Sequence, residues 1–334
     1  MIRRTLVAAS VLGAISAAGL VNGAATAAPR SEAKASDHTV SKAVSKSAQQ
    51  KAKTYWSSAR MKKAKDASVL VKNRSKSVDT SSVARGKAQV VQGSLATAKA
   101  PKAPQAAYGG GYYSGGGKVV QTTGKVFFTL AGSDYVCSGS STAAANKSLV
   151  QTAGHCLNEG PGAFATNFTF VPAYNNGSAP YGQFAATNLY TSTQWANSGD
   201  FNYDIGYAVV GTAGGKKLAD AVGSQGVGFN LSKGAYMYSF GYPAASPYAG
   251  QKLAWCHGTV IADTYGGSSD QGLACNMTGG SSGGPWFINY STSTGVGTLN
   301  SVNSFKYTGG PLSGYMFGPY FGSVIQSVYN QAQA

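Results

Sequence analysis

Ser282 lies within residues 278–286, which read TGGSSGGPW. Small neighbours allow a substrate carbonyl to approach a serine hydroxyl, and they leave backbone N–H groups free to point at a developing oxyanion. A glycine- and serine-rich loop without any catalytic role would have the same composition. This stretch alone therefore leaves a nucleophile and an ordinary loop equally open.

A serine hydroxyl is a poor nucleophile at neutral pH and needs an adjacent base, usually a histidine. The chain has three histidines. His38 lies in a lysine-rich region, and His257 has no motif around it. His155, in the sequence QTAGHC, follows a strand-like run and is next to a cysteine that can hold it in place. We therefore predict that His155 is the general base for Ser282.

The imidazole of such a base needs a carboxylate that orients it. Asp204 opens the apolar run YDIGYAVV, where an acid without a partner would be costly. Asp200 lies in the sequence SGDF, which is typical of a turn. We therefore predict that Asp204, rather than Asp200, is the third member of the set.

The elements that must position these residues are short. From residue 118 onward, strand-like runs such as 125–130, 167–171 and 207–210 alternate with Gly, Ser, Asn and Pro. Apolar residues recur at helical spacing only near the C-terminus, at Phe321, Val324, Ile325, Val328 and Tyr329. This pattern predicts an all-β fold, a sandwich or a pair of barrels, with a C-terminal α-helix.

Charge divides the chain in two. Of the 27 Lys and Arg residues, 19 lie in residues 1–107, which hold only 4 of the 11 acidic residues. Residues 108–334 are nearly neutral and hold almost all of the aromatic residues. Because this region alone can bury a sizeable core, its neutrality argues against nucleic-acid binding. Any binding of polyanions, such as anionic cell-envelope polymers, is assigned to the basic N-terminal tail.

Four segments follow from the composition. Residues 1–27 combine an N-terminal charge, an apolar run and the sequence ATA, which predicts a secretory signal peptide cleaved after Ala27. A transmembrane anchor is disfavoured because the run is short. Residues 28–107 read as a basic, low-complexity pro-region or tail, disordered or weakly helical. Residues 108–117 read as a flexible glycine-rich linker, and 118–334 as the folded domain. We expect a secreted, extracellular product, monomeric and without a transmembrane anchor.

The cysteines are even in number, which in an exported protein favours disulfides. They are Cys137, Cys156, Cys256 and Cys275. Four cysteines allow three pairings, of which the local one places a bridge in each half of residues 118–334. A zinc site is disfavoured because there is no CxxC motif and there are few histidines. We expect neither a metal nor another cofactor.

Taken together, TAGHC at 152–156, DIG at 204–206 and GSSGGP at 280–285 resemble the chymotrypsin/trypsin-like serine peptidase superfamily. FGYP at 240–243 and the TGG before the serines are more similar to the bacterial glutamyl-endopeptidase (V8-like) branch. The resemblance covers about residues 118–330. It implies two six-stranded Greek-key β-barrels with the site between them, His155 and Asp204 coming from the first barrel and Ser282 from the second.

The resemblance also implies a role for each residue. Ser282 would attack the scissile carbonyl of a protein or peptide substrate, and His155 would take its proton and pass it to the leaving amine. Asp204 would hold the imidazole tautomer, and the backbone N–H groups of Gly280 and Ser282 would form the oxyanion hole. With the site so placed, we expect the disulfides Cys137–Cys156 beside His155 and Cys256–Cys275 beside the serine loop.

Two positions depart from the family. Ser281 stands where an aspartate usually precedes the nucleophile, so a switch that binds a newly cut N-terminus is not expected, and the basic segment of this zymogen is assigned to secretion, folding or localisation. Asn276 stands at the usual floor of the specificity pocket. The segment that would carry a glutamate-reading histidine contains Asn303 and Ser304 instead. We take Asn276, Asn303 and Ser304 as candidate pocket residues, without naming a preferred substrate side chain.

Two other functions stay open. A binding protein on this fold that has lost catalysis is disfavoured because all three candidate catalytic residues are present. A cell-envelope-associated protein held by its basic tail is compatible with catalysis.

Overall fold

The computed structural model describes residues 38–71, 82–94 and 110–334. The predicted signal peptide lies outside these residues, as do parts of the predicted basic segment. Within the described ranges, no helix has both the length and the apolar character needed to cross a membrane.

The secondary structure falls into an N-terminal part and two halves. In the N-terminal part the elements are β1 (Thr39–Ala43), α1 (Lys46–Tyr55), α2 (Ser58–Lys63), β2 (Lys65–Asp66), β3 (Gln89–Val91) and β4 (Gly111–Tyr112). In the first half they are α3 (Lys118–Thr122), β5 (Thr123–Leu130), β6 (Ser133–Thr142), β7 (Leu149–Thr152), β8 (Thr166–Pro172), β9 (Phe184–Ser192), α4 (Thr193–Ser198), β10 (Gly206–Val210) and α5 (Leu218–Val222). In the second half they are β11 (Gly226–Phe229), β12 (Tyr236–Gly241), β13 (Ala254–Thr259), β14 (Ile261–Ala262), β15 (Gln271–Ala274), β16 (Pro285–Ser291), β17 (Val296–Val302), β18 (Tyr315–Gly318) and α6 (Ser323–Ala332).

Strands β5 to β10 form a closed barrel of six antiparallel strands. Their order is β5-β6-β7-β10-β9-β8, and pairing of β8 with β5 closes the ring. Strand β5 is buried along most of its length because it also packs against β12 of the second half and against α3. The predicted all-β fold is confirmed in this half.

The second half contains two sheets. Seven strands follow the order β3-β11-β17-β16-β12-β13-β4, and β14, β15 and β18 form a separate three-stranded sheet. The predicted C-terminal helix is present as α6, and it buries the apolar face that its spacing indicated. The Tyr329 hydroxyl on this helix donates to the carbonyl of Ala143 over 2.7 Å, which ties α6 back to the first half.

Both expected disulfides are present, Cys137–Cys156 in the first half and Cys256–Cys275 in the second. Each joins residues 19 positions apart in the sequence. A bridge of this kind restricts the unfolded chain and thereby stabilises the folded one.

The basic segment, expected to be disordered or weakly helical, contains both helices and strands among its described residues. Strand β1 pairs with β9, α1 packs on β8 and β9, and β3 pairs with β11. The reason is that its few large apolar side chains find a surface on the first barrel, where Trp56 and Met61 are buried. Composition counts apolar residues, but it does not show that another part of the chain offers them a partner.

The glycine-rich stretch, expected to be a flexible linker, is docked at its described residues. Strand β4 pairs with β13, and the Tyr113 ring lies edge-on against Phe240 and Trp255 at centroid distances of 5.2 and 5.1 Å. Edge-to-face aromatic pairs are stabilising beyond their burial. Two tyrosines among the glycines therefore hold this stretch against the second half.

Candidate active site

His155 lies in a short 3₁₀ turn, Gly154–Cys156, directly after strand β7. The disulfide from Cys156 to Cys137 ties this turn to strand β6. Gly154 has no room for a side chain, because a Cβ atom there would lie 2.8 Å from the ring of Trp195 and 2.9 Å from Oδ1 of Asp204. The turn therefore brings the histidine backbone close to that carboxylate.

Asp204 holds His155 at two points. The Nδ1 atom of His155 lies 2.8 Å from Oδ2 of Asp204, and the backbone N–H of His155 donates to Oδ1 over 2.8 Å. Both side chains are buried. With a carboxylate at Nδ1, the neutral imidazole carries its proton there, which leaves Nε2 as the basic nitrogen. Asp200 instead caps the next turn, accepting from the backbone N–H of Asn202.

Ser304 reaches Asp204 from the other half of the molecule. Its hydroxyl donates to Oδ2 over 2.5 Å, so the carboxylate receives three hydrogen bonds from the described residues. The sequence placed Ser304 in the substrate pocket and gave no sign of this contact. The two residues are 100 positions apart, and no local pattern links them.

Ser282 follows a turn that requires glycine. Gly280 adopts a φ of +93°, and a Cβ atom there would lie 2.7 Å from the side chain of Ala244. Gly283, at φ +77°, packs against the backbone of Ala153, two residues before His155. The serine loop therefore lies directly against the histidine turn.

Ser138 of β6 fixes the carbonyl groups of this loop. Its backbone N–H donates to the carbonyl of Ser282 over 2.7 Å, and its hydroxyl donates to the carbonyl of Gly280 over 2.9 Å. The same hydroxyl accepts from the backbone N–H of Tyr242 over 2.8 Å. Holding the carbonyls in place leaves the N–H groups of Gly280 and Ser282 without an acceptor among the described residues. No sequence pattern indicated this role for Ser138, although it follows Cys137 directly.

Ser281, the residue in place of the usual aspartate, serves the loop itself. It is buried, and its hydroxyl donates to the carbonyl of Thr278 over 2.8 Å. Asn303 supports the same loop, because its Nδ2 donates to the carbonyl of Ser281 over 3.0 Å.

A cavity of about 220 Å³ opens beside Ser282. Its walls include Thr278, Ser304, Phe305, Lys306, Tyr307 and Met316. Lys306 is the one charged side chain among the described lining residues, and its Nζ donates to the carbonyl of Cys275 over 2.7 Å. Of the three candidate pocket residues, Ser304 lines this cavity and the other two do not. Asn276 accepts instead from the hydroxyl of Tyr248, and Asn303 accepts from the indole N–H of Trp286.

Cys137, His155 and Cys156 offer ligand-type atoms within 4.8 Å of one another, a spacing that suits a metal. The two cysteines are joined in a disulfide, however, so neither presents a thiolate. The imidazole is also already engaged by Asp204 through Nδ1. The donor set does not fit a metal centre.

The histidine nitrogen that faces away from Asp204 is Nε2. It is buried and has no hydrogen-bond partner among the described residues. A buried imidazole nitrogen without a partner is costly unless a reacting group uses it. The arrangement can therefore accept a proton at Nε2 while Asp204 stabilises the resulting charge.

Comparison with known proteins gives strong matches among solved structures. A protease, Anisep from Arthrobacter nicotinovorans, is 59% identical, covering 65% of this chain and 97% of its own, with a TM-score of 0.61. The thermostable serine protease AL20 from an extremophilic microorganism is 49% identical, covering 65% and 98%, with a TM-score of 0.61. A Glu endopeptidase shares the fold at 18% identity, covering 68% and 97%, with a TM-score of 0.52.

Among curated proteins, an extracellular metalloprotease of Bacillus subtilis (strain 168) is 38% identical over 74 residues. The match takes in 22% of this chain, and the chain spans only 23% of the length of that relative. No family model matches the sequence.

Proposed function

This chain is a serine peptidase of the trypsin-like superfamily, and we propose that it is a secreted endopeptidase that uses Ser282, His155 and Asp204 as a catalytic triad. The observation that carries the proposal is the buried pair of His155 and Asp204, which is joined by two hydrogen bonds and against which the Ser282 loop is packed. A surface histidine or a solvated serine loop would have no need for this burial.

The first half of the reaction acylates the enzyme. The Ser282 hydroxyl oxygen attacks the scissile carbonyl while Nε2 of His155 takes its proton. Asp204 accepts the hydrogen bond from Nδ1–H and stabilises the imidazolium that forms. Negative charge develops on the carbonyl oxygen, where the N–H groups of Gly280 and Ser282 stabilise it. The imidazolium then protonates the leaving amine, and an acyl-Ser282 ester remains.

The second half releases the acid product. A water molecule enters as the amine leaves, and Nε2 of His155 takes its proton as the water attacks the ester. The same two N–H groups stabilise the second oxyanion, and its collapse returns the proton to Ser282. Throughout both halves, the third hydrogen bond, from Ser304 to Asp204, keeps the carboxylate oriented toward the imidazole.

Export and domain organisation belong to the same proposal. Residues 1–27 are the signal peptide, 28–107 the pro-region, and 118–334 the peptidase domain, which acts on protein or peptide substrates. Two disulfides in residues 118–334 suit an oxidising compartment. The protein is proposed to work as an extracellular monomer.

Hydrolysis of casein and of a chromogenic peptide by purified protein tests the proposal. Ser282→Ala and His155→Ala are each expected to lower kcat at least about 10⁴-fold, as loss of a triad member does. Ser293→Ala, a matched change at an exposed position in the same half, should leave the rate unchanged. Hydrolysis by Ser282→Ala at the wild-type rate would reject the triad and favour a binding protein on this fold.

A further inference from the structure

Residues 65–71 of the N-terminal part lie at the candidate active site. Strand β2 adds to the first barrel as a parallel neighbour of β6, pairing Lys65 with Tyr135 and Asp66 with Val136. The 3₁₀ turn that follows, Ala67–Leu70, packs against the turn that carries His155. This segment therefore crosses the same face on which the catalytic histidine lies.

The segment also contacts the serine loop. A Cβ atom built on Gly279 would collide with Oδ1 of Asp66 and the hydroxyl oxygen of Ser68, so both atoms lie close to the Gly279 backbone. Ser68 and Val71 are themselves part of the wall of the cavity that contains Ser282. A substrate that approached Ser282 would meet these side chains first.

Val71 is the apolar contact of the segment. It is only 5% exposed and belongs to a cluster with Phe305, Tyr307 and other residues of the cavity region. Val69, two residues earlier, is 41% exposed. The segment thus directs one valine into the cleft and the other to solvent.

An anchor upstream holds this segment in place. Trp56 is 1% exposed, packs on Phe127 and donates through Nε1 to the carbonyl of Asn167 over 2.6 Å. The hydroxyl of Tyr55 donates to Asp134 over 2.9 Å, and Arg60 forms an ion pair with the same carboxylate over 3.3 Å. A buried tryptophan contributes most of such an anchor, because an exposed ion pair adds little.

We propose that residues 65–71 are a built-in inhibitor that occupies the substrate cleft of the unprocessed chain. The proposal rests on the function proposed above, since the blocked site is the one that contains Ser282. It also gives the basic segment a role other than the secretion, folding or localisation expected from sequence.

The shape of the segment explains why it blocks rather than reacts. Peptides that bind along strands do so in an extended form that presents their backbone groups. Residues 67–70 are instead coiled into a 3₁₀ turn, in which the carbonyl of Ser68 accepts from the N–H of Val71 over 3.2 Å. A carbonyl held within its own turn is withdrawn from the oxyanion-binding N–H groups.

Proteolysis on the C-terminal side of Val71 would relieve the block. While the chain is continuous, the tether keeps the inhibitor at an effective concentration in the millimolar range. After a cut, rebinding depends on the concentration of the free segment, which is diluted outside the cell. A single cleavage thereby changes an intramolecular block into a bimolecular one, which dilution weakens.

The test measures access to position 282 in a chain that cannot process itself. Full-length Ser282→Cys protein is treated with a bulky maleimide, and the rate of thiol labelling is followed by intact mass. Adding Val71→Asp places a charge in the apolar cluster and should raise the rate at least about tenfold, because the docked state is then disfavoured. The matched change Val69→Asp, at the exposed valine, should leave the rate unchanged.

Trp56→Ala provides a second variant, because it weakens the anchor without altering the cleft. It should also raise the labelling rate, and a circular dichroism spectrum like that of the parent chain shows that each variant is folded. Equal labelling rates for Val71→Asp, Trp56→Ala and the parent Ser282→Cys chain would overturn the proposal that residues 65–71 are an inhibitor. Because thiol labelling needs no catalysis, that result differs from a failure of the proposed function, which would appear as absent hydrolysis by wild-type protein freed of residues 38–71.

Discussion

The two halves of the molecule contribute to the site in different ways. The first half holds His155 and Asp204 together within one closed barrel, by two hydrogen bonds and a neighbouring disulfide. The second half supplies the proposed nucleophile, Ser282, on a glycine-rich loop whose carbonyls are held by Ser138 of the first half. His155 and Asp204 therefore both come from one half, and the other half adds to them the hydrogen bond from Ser304. The loop that carries Ser282, in contrast, is held mainly by contacts where the halves meet.

The largest effect is expected within the first half. Asp204→Asn keeps the shape of the site but lets the amide favour the wrong imidazole tautomer, which costs about 10⁴ in turnover in the family template. The measurement is kcat on a chromogenic peptide, with circular dichroism to show that the fold persists. Asp200→Asn, at the nearby acid that caps a turn, should retain most of the activity. If the two variants lose activity equally, the first half does not hold the base through Asp204.

A smaller effect is expected where the halves meet. Ser138→Ala removes the hydroxyl that donates to the carbonyl of Gly280, so the oxyanion N–H groups lose part of their support. We expect a loss of about 10- to 100-fold in kcat with little change in KM, below the cost of removing an oxyanion donor outright. Ser140→Ala, two residues along the same strand, serves as the control. A change confined to KM would show that Ser138 affects substrate binding and not the loop.

Ser304 tests the second contact across the halves. Ser304→Ala removes one of three hydrogen bonds to the Asp204 carboxylate, and a bond to a charged group is worth about tenfold or somewhat more in rate. Ser304→Thr keeps the hydroxyl and should recover most of the activity. If the alanine and threonine variants have the same activity, Ser304 affects the rate through the shape of the cavity and not through its hydrogen bond to Asp204.

The charged side chain of the cavity, Lys306, comes from the second half. Lys306 places a cation on a wall otherwise made of apolar and hydroxyl side chains. Substrates with lysine or arginine at the cleavage position should have a kcat/KM at least about tenfold below those with an apolar residue there, because like charges repel in a desolvated pocket. Lys306→Met should narrow that gap, whereas Lys147→Met, at an exposed lysine, should not. Preferred cleavage after lysine would show that the substrate side chain at the cleavage position binds in a pocket other than this cavity.

The last expected effect concerns stability and not rate. Both carboxylate oxygens of Asp270 are buried and have no partner among the described residues. Burial, together with the charge of Asp204, Asp200 and Asp263, raises the pKa of the Asp270 carboxyl well above its ordinary value. The folded protein thus keeps a proton that the unfolded chain loses above about pH 4. The free energy of unfolding should then fall by about 1.4 kcal/mol per pH unit from that point up to the raised pKa.

Urea unfolding at several pH values between about 5 and 8 measures this slope. Asp270→Asn should remove it, so the variant gains stability over wild type as pH rises. Asp220→Asn, at an exposed acid paired with Lys147, should follow the wild-type slope. A parallel slope in Asp270→Asn and wild type would mean that Asp270 is ionised in the folded protein.

Sequence patterns predict what is local in this molecule. His155, Asp204 and Ser282 each lie in a short motif, and both disulfides join cysteines close in the sequence. The roles of Ser138 and Ser304 depend on contacts between distant parts of the chain, which no spacing reveals. The pocket assignments of Asn276 and Asn303 followed family positions, and these side chains face other partners here.

The N-terminal part illustrates the same limit on a larger scale. Its composition, rich in lysine and alanine, predicted disorder because such a chain lacks a core of its own. The barrel supplies the missing surface, and Trp56 packs on it at the end of α1. Docking of this kind depends on the surface of the folded barrel, so the composition of the segment alone cannot predict it.

The most direct test of the central claim is covalent labelling of the purified protein, freed of residues 38–71, by a serine-directed phosphonate. The probe forms an adduct only with a serine that a neighbouring base has activated. We predict one adduct per chain, mapped by peptide mass spectrometry to Ser282, and no adduct in His155→Ala. An adduct on Ser281 or on any serine outside the loop, or labelling that persists in His155→Ala, would contradict the account.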